Sequence, residues 1–263
     1  MSLAGAASTG FSGGRVFTRT VEAIQANILE FGKIGIAFFA APALILGLVM
    51  LPYQRALFTG GAPSLQGSPG GLVGLIGLAC GLIGYAALIW GYWAYTGGRK
   101  PSFQEMLKAG TGNALPVLLT GVLMVMGIAV GFVLLFVPGV ILAVMWCVAV
   151  PAQVVEKPQG LGAFARSRAL TRGVRWAIFG MFLLYVLAAT MVSILIALGA
   201  GIGTGFGLLG FLSGPVAILR VILQAIEQGV FGVFGAVFAS ALYYELRSVK
   251  EGLAPESLAS VFE

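Results

Sequence analysis

The chain has no histidine and no aspartate, and all nine of its acidic residues are glutamates. General acid–base catalysis, nucleophilic triads and most metal sites draw on His, Asp, Cys and Glu in convergent sets. No such set can be assembled here, and no serine stands beside a lysine at membrane depth to offer Ser–Lys chemistry. The expectation is a protein that is not an enzyme and carries no cofactor and no metal. Cysteine is scarce as well. Cys80 and Cys147 both lie inside apolar runs, where free thiols behave as small hydrophobes, so no disulfide framework is implied. The opening "MSLAGAASTGFSGGRVFTRT" lacks the basic stub and short apolar core of a cleavable signal peptide. The first membrane helix is expected to serve as its own uncleaved signal.

Charge is the other scarcity: 9% of the residues are charged, against roughly 25% in an average soluble domain. What fills the chain instead is hydrocarbon, 59% of it hydrophobic. A bilayer core of about 30 Å is crossed by ~20 residues of helix, and six apolar runs approach or exceed that length. They run from Ile34 to Leu51, Gly71 to Tyr95, Ala114 to Phe136, Val140 to Val155, Val174 to Ala200 and Gly229 to Leu246. Between the third and fourth the sequence offers only "VPG" (Val137–Gly139), which reads as a tight hairpin because proline resists helix continuation and glycine permits reversal. The fold class is therefore all-α, a polytopic membrane bundle forming a single domain over residues 1–263. Residues 1–14 read as a flexible N-terminus and 252–263 as a tail, with interfacial helices over 15–33, 101–112 and 160–173. Forty glycines suit such a bundle, since small residues let membrane helices approach closely.

Orientation follows from lysine and arginine near the ends of the spans. With six spans, Arg15, Arg19, Lys33, Arg99, Lys100, Lys108, Lys157, Arg166, Arg168, Arg172, Arg175, Arg247 and Lys250 fall on one side, and only Arg55 and Arg220 are candidates for the other. Both termini are then expected in the cytoplasm of a bacterial inner membrane. Trp90, Tyr92, Trp93 and Tyr95 close the second span, and Tyr243 and Tyr244 the sixth, where an interfacial aromatic belt is expected. A weak internal period is also present. "FQEMLKAGTG" (Phe103–Gly112) and "FARSRALTRG" (Phe164–Gly173) each precede two spans, and "VEAIQANILEFG" precedes the first two. The plan is three units, each an amphipathic helix followed by a helical hairpin.

Three constellations are candidates for function. Gly74, Gly77, Gly81, Gly84 and Gly91 line one face of the second span, suited to packing, an oligomer seam or a path for a thin ligand; Gly229, Gly232, Gly235 and Ala236 give the sixth a similar surface, and the two helices are expected to pack together. In "RVILQAIEQG", Arg220, Gln224 and Glu227 share one helix face. An ionisable group in the membrane is a candidate ligand or proton site, though Glu227 is expected near the outer boundary rather than at the midplane. On a continuous helical wheel Arg168, Arg172 and Arg175 also cluster, and together with Arg166 of the same segment they are the candidates by which a basic interfacial helix would contact anionic lipid headgroups and hold the topology. Nucleic acid, which needs a broader basic surface with stacking aromatics, is not an expected partner. The glycine-rich "GAGIGTGFGLLG" from Gly199 lacks the strand and helix of a phosphate-binding loop.

The stretch "VPGVILAVMWCVAVPAQVVE" followed by "GAFARSRALTRGVRWAIFG" resembles bacterial six-span membrane proteins of the YciC-like type. It is similar also to the membrane domain that precedes the catalytic domain in some glycerophosphodiester phosphodiesterases. Pro138–Gly139, Trp146, Pro151, Ala163–Ser167 and Leu170–Gly173 leading to Trp176 carry the resemblance, over about forty residues. It implies a fold plan and a link to envelope or lipid biology; the acidic and histidine residues of a phosphodiesterase are missing. Two functions follow as expectations. One is a protein that binds or helps to move a lipid or other hydrophobic molecule. The other is an accessory subunit packed against a membrane complex or a second copy of itself.

Overall fold

The computed structural model describes residues 10–58, 70–202 and 214–252. Residues 1–9 of the N-terminal segment, 203–210 of the glycine-rich stretch and 253–263 of the tail lie outside the described residues. Within them the chain forms α1 (Gly13–Ala26), α2 (Ile28–Gly35), a π-helical turn (Ile36–Ala40), α3 (Ala41–Phe58), α4 (Gly70–Thr96) and α5 (Phe103–Gly112). There follow α6 (Ala114–Leu134), α7 (Phe136–Trp146), α8 (Ala149–Glu156), α9 (Gly162–Thr171), α10 (Arg175–Ile202) and α11 (Gly214–Glu251). No strand occurs among the described residues. Six stretches are long and apolar enough to cross a membrane: Ile28–Gln54, Gly70–Thr96, Ala114–Leu134, Phe136–Glu156, Arg175–Gly199 and Val216–Glu251. The chain is an all-α helical bundle.

The element order repeats three times: a short helix (α1, α5, α9), then two spans. The first two junctions are alike in chemistry. Asn27 and Asn113 each leave the helical region and each donates its side-chain amide to the carbonyl four residues earlier, Ala23 at 3.0 Å and Ala109 at 2.9 Å. The third junction turns at Gly173, whose φ of +90 favours glycine. Within each pair the second span is the more buried, 28% of its apolar window against 17%, 50% against 22%, and 39% against 0%. The second spans (α4, α7–α8 and α11) touch one another at the centre through α4, α8 and α11. The first spans are the less buried and leave apolar side chains exposed, as a lipid solvent allows.

Several elements depart from the sequence reading. The first span begins at Ile28 rather than Ile34, so Lys33 belongs to its opening turns, and the sixth extends well beyond Gly229–Leu246 in both directions. The third and fourth spans part at Leu135, whose backbone is extended (φ −163, ψ 148), and not at "VPG". Pro138 falls in the first turn of α7, where its missing N–H would have had no helical partner. Gly139 instead permits the crossing of the two helices: a Cβ on Gly131 would stand 2.9 Å from the Gly139 Cα. The aromatic residues do not form the expected belt. Tyr92, Trp93, Tyr243 and Tyr244 are buried, and Trp93 packs edge-on against Tyr243 at 5.8 Å, locking α4 to α11. Trp176, 86% exposed, and Phe17, 55% exposed, are aromatic residues left outside at that end.

The fourth span is broken. Val148 leaves the helical region (φ −109, ψ 16) between α7 and α8. In lipid such a break is tolerated when side chains satisfy the freed backbone groups. Ser167 of α9, fully buried, does so: its hydroxyl donates to the Met145 carbonyl at 2.8 Å and accepts from the Val148 N–H at 3.3 Å.

Candidate functional site

Up-and-down order brings the starts of the odd spans and the ends of the even spans to one end of the bundle, and most of the charge gathers there. The first set of arginines is consumed within the protein. Arg15 and Arg19 of α1 both bind Glu245 of α11, with Arg15 Nε at 2.8 Å from Oε1 and Arg19 Nη1 at 2.6 Å from Oε2; Glu245 is 1% exposed. Arg166 of α9 donates to Glu156 at 2.8 Å and pairs also with Glu251. Partial burial opposes the Arg166 charge, but its bonds to the two carboxylates outweigh that and push its pKa further above the ordinary value. Arg247 joins Glu251 at 3.0 Å and Glu156 at 3.6 Å, and the Tyr243 hydroxyl donates to Glu156. The helix α5 is held by a glutamate too, its Phe103 N–H donating to Glu30 at 2.7 Å. Each interfacial helix is thus pinned to the bundle through a carboxylate on a spanning helix.

Arg168, Arg172 and Arg175 behave differently. The continuous wheel fails, because α9 stops at Thr171, Arg172 is extended (φ −61, ψ 130) and Arg175 opens α10. The reversal at Gly173 nevertheless folds all three arginines around one cavity of about 830 Å³. Its other walls are Met145 and Trp146 at the break of the fourth span, with Leu161 and Phe164. Trp146 and Phe164 meet edge-on at 5.0 Å. Lys250 stands close by, its Nζ donating to the carbonyls of Ala169 and Arg172 at 2.7 Å each. No carboxylate lies within ion-pair distance of these four cations among the described residues. The Arg175 Nε is buried without a hydrogen-bond partner among them.

The glycine faces serve two purposes. A Cβ on Gly84 would lie 2.5 Å from the Phe38 Cβ, and one on Gly232 would lie 2.5 Å from the Phe39 ring. The two faces therefore do not meet each other there; they clasp the π-helical turn of the first span between them. Ala236 is fully buried one turn further on. Gly74 and Gly81, by contrast, have nothing within 4 Å of a built Cβ, and Gly77 only Pro42 at 3.9 Å. All three line a second cavity of about 550 Å³, a cleft between α3, α4, α10 and α11 that is open on one side.

The polar stripe of the sixth span also divides. Arg220, 7% exposed, turns to α3, donating to the Gln54 side chain. Gln224 and Glu227 face the second cavity, and Glu227 accepts from the Ser193 hydroxyl of α10. Glu227 lies eighteen residues, about 27 Å along the helix axis, from Glu245 at the charged end.

Two contributors were not singled out in the sequence. Glu245 and Glu156 organise the charged end, and their signal was present as glutamates at the ends of apolar runs, where an ionisable group implies a partner. A comparison with protein families, with curated proteins and with solved structures gave no match to the chain.

Proposed function

We propose that the chain is a non-enzymatic, multi-pass membrane protein that binds, or helps to move, an anionic lipid. It would sit in a bacterial inner membrane with both termini in the cytoplasm. The observation that carries the reading is the cavity of Arg168, Arg172 and Arg175 with Trp146 and Phe164. Cations that no carboxylate neutralises repel one another and attract an anion; guanidinium groups match phosphate oxygens bidentately. An apolar wall beside them suits the start of an acyl chain. Each such charge near an anionic membrane surface contributes about 1 kcal/mol of attraction. The exposed Trp176 is placed as an interfacial anchor would be. The likeness of this same stretch to YciC-like proteins adds envelope lipid biology as context, and we propose membership of that group with it.

Native mass spectrometry from mild detergent tests the proposal. The wild type should retain phosphatidylglycerol or cardiolipin, and the triple Arg168→Gln, Arg172→Gln, Arg175→Gln variant should lose it at least tenfold. Equal retention by both would overturn the reading. Orientation is tested separately by labelling a cysteine placed at the exposed Thr111 in a background lacking Cys80 and Cys147. Labelling from the cytoplasmic side is expected, and labelling only from outside would reverse the topology.

A second reading, an accessory subunit, is favoured by α10, none of whose spanning window is buried. A stoichiometric protein partner in the same spectra, lost when α10 is altered, would support it over lipid binding.

A further inference from the structure

The second cavity shares no residue with that of Arg168, Arg172 and Arg175 and has a different chemistry; Arg220 reaches its edge through Gln54, to whose side-chain oxygen it donates. Gln54, Ser193, Gln224, Glu227 and Gln228 supply its polar groups, and Phe38, Phe39 and Met50 are among its apolar walls. The Ser193 hydroxyl donates to Glu227 and the Gln54 oxygen is taken by Arg220, which leaves acceptors of unequal strength. Glu227 is a carboxylate with no lysine or arginine within ion-pair distance among the described residues, and one of its oxygens takes the Ser193 hydroxyl. Gln224 and Gln228 make no side-chain hydrogen bond among the described residues, so their amide oxygens are available. The fourth wall is bare backbone. At Gly74, Gly77 and Gly81 larger residues would meet no close neighbour, so helix contact does not require glycine there. Their effect is to widen the cavity.

A carboxylate inside a membrane bundle is costly without a partner charge or water. A cavity of this size with apolar walls and a few convergent polar groups is the usual form of a small-molecule site. We infer that the cavity between α3, α4, α10 and α11 binds the ammonium group of an amphiphilic primary amine. Glu227 pairs with the ammonium, the glutamine amides accept its remaining hydrogens, and the adjoining hydrocarbon lies along the glycine face and Phe38. An aminophospholipid headgroup and a free long-chain amine both carry this chemistry. The site is independent of the anionic-lipid site, since it shares no lining residue with it.

The test uses the full chain in mild detergent, with dodecylamine, dodecanol, phosphatidylethanolamine and phosphatidylcholine as separate probes in native mass spectrometry. Dodecylamine should bind as a single adduct at least tenfold more tightly than dodecanol. Glu227→Gln should lose that preference, and Gly77→Leu or Gly81→Leu should block the adduct by filling the space while leaving the melting temperature close to wild type. The triple arginine variant should bind dodecylamine normally, which separates failure here from failure of the anionic-lipid reading. Retention of phosphatidylethanolamine but not phosphatidylcholine, lost in Glu227→Gln, would identify the lipid as the source; dodecylamine binding alone would identify a free amine. Equal binding of dodecylamine and dodecanol, or an unchanged preference in Glu227→Gln, would overturn the inference.

Discussion

The Ser167 hydroxyl donates to the Met145 carbonyl at 2.8 Å, so a residue on the third interfacial helix completes the backbone of the fourth span. Ser167→Ala should leave the Met145 carbonyl and the Val148 N–H short of a partner and destabilise the protein by about 2 kcal/mol. Thermal unfolding in detergent measures this, and an unchanged melting temperature would contradict the role given to the hydroxyl.

The glycines separate by neighbour. Gly84→Val and Gly232→Val drive a side chain into Phe38 or Phe39, and overpacking of this kind costs about 1–3 kcal/mol. Gly74→Ala and Gly81→Ala, with open space around the built Cβ, should melt with the wild type. The same loss at all four positions would show that the face acts as one packing seam.

Glu245 carries two arginines and is itself buried. Glu245→Gln keeps the shape and removes the charge, and should cost about 2 kcal/mol, the scale of a hydrogen bond to a charged group. Arg15→Gln and Arg19→Gln should each cost less, because their side chains are 35% and 34% exposed and the remaining arginine still pairs. A urea or thermal series across the three variants checks the order.

Arg166 and its neighbours should behave in opposite ways. Arg166→Gln breaks the links from α9 to Glu156 and Glu251, lowering stability while leaving anionic-lipid retention near wild type. Replacing Arg168, Arg172 and Arg175 should lower retention with little effect on melting. Paired melting and lipid measurements on the two variants separate clamp from site.

Helix α5 should respond to acid. The Ser102 backbone N–H, the Ser102 hydroxyl and Arg99 hold the Glu105 carboxyl below its ordinary value of 4.5. A lowered folded-state pKa stabilises above the unfolded value, and that stabilisation is lost as pH falls through the folded value. Wild type should therefore lose the Glu105 contribution below about pH 4.5, whereas Glu105→Gln should show no such component in a melting profile against pH.

Much of the architecture was legible in one dimension. Hydrocarbon runs of membrane length, broken by basic segments, identify six spans because a bilayer imposes its thickness on any helix that crosses it. The arginine-rich stretch from Arg166 to Arg175 was legible as a basic interfacial segment, but its division into one clamp and three pocket residues was not. That depends on glutamates ten and eighty-five residues away in the chain. The polar stripe of the sixth span was similarly visible as a pattern, while the turning of Arg220 toward Gln54 was not.

By itself the sequence determined the solvent, the number of spans, the repeated plan and the end of the bundle at which charge collects, all of which follow from local composition and helix length. Only the tertiary structure decided which helices lie inside, which arginines are neutralised, where Phe38 and Phe39 wedge between glycine faces, and where two cavities of different chemistry form. These rest on contacts between residues far apart in the chain, and in an apolar solvent such contacts are chosen by shape and by the few polar groups that must find partners, which leave little trace in hydropathy.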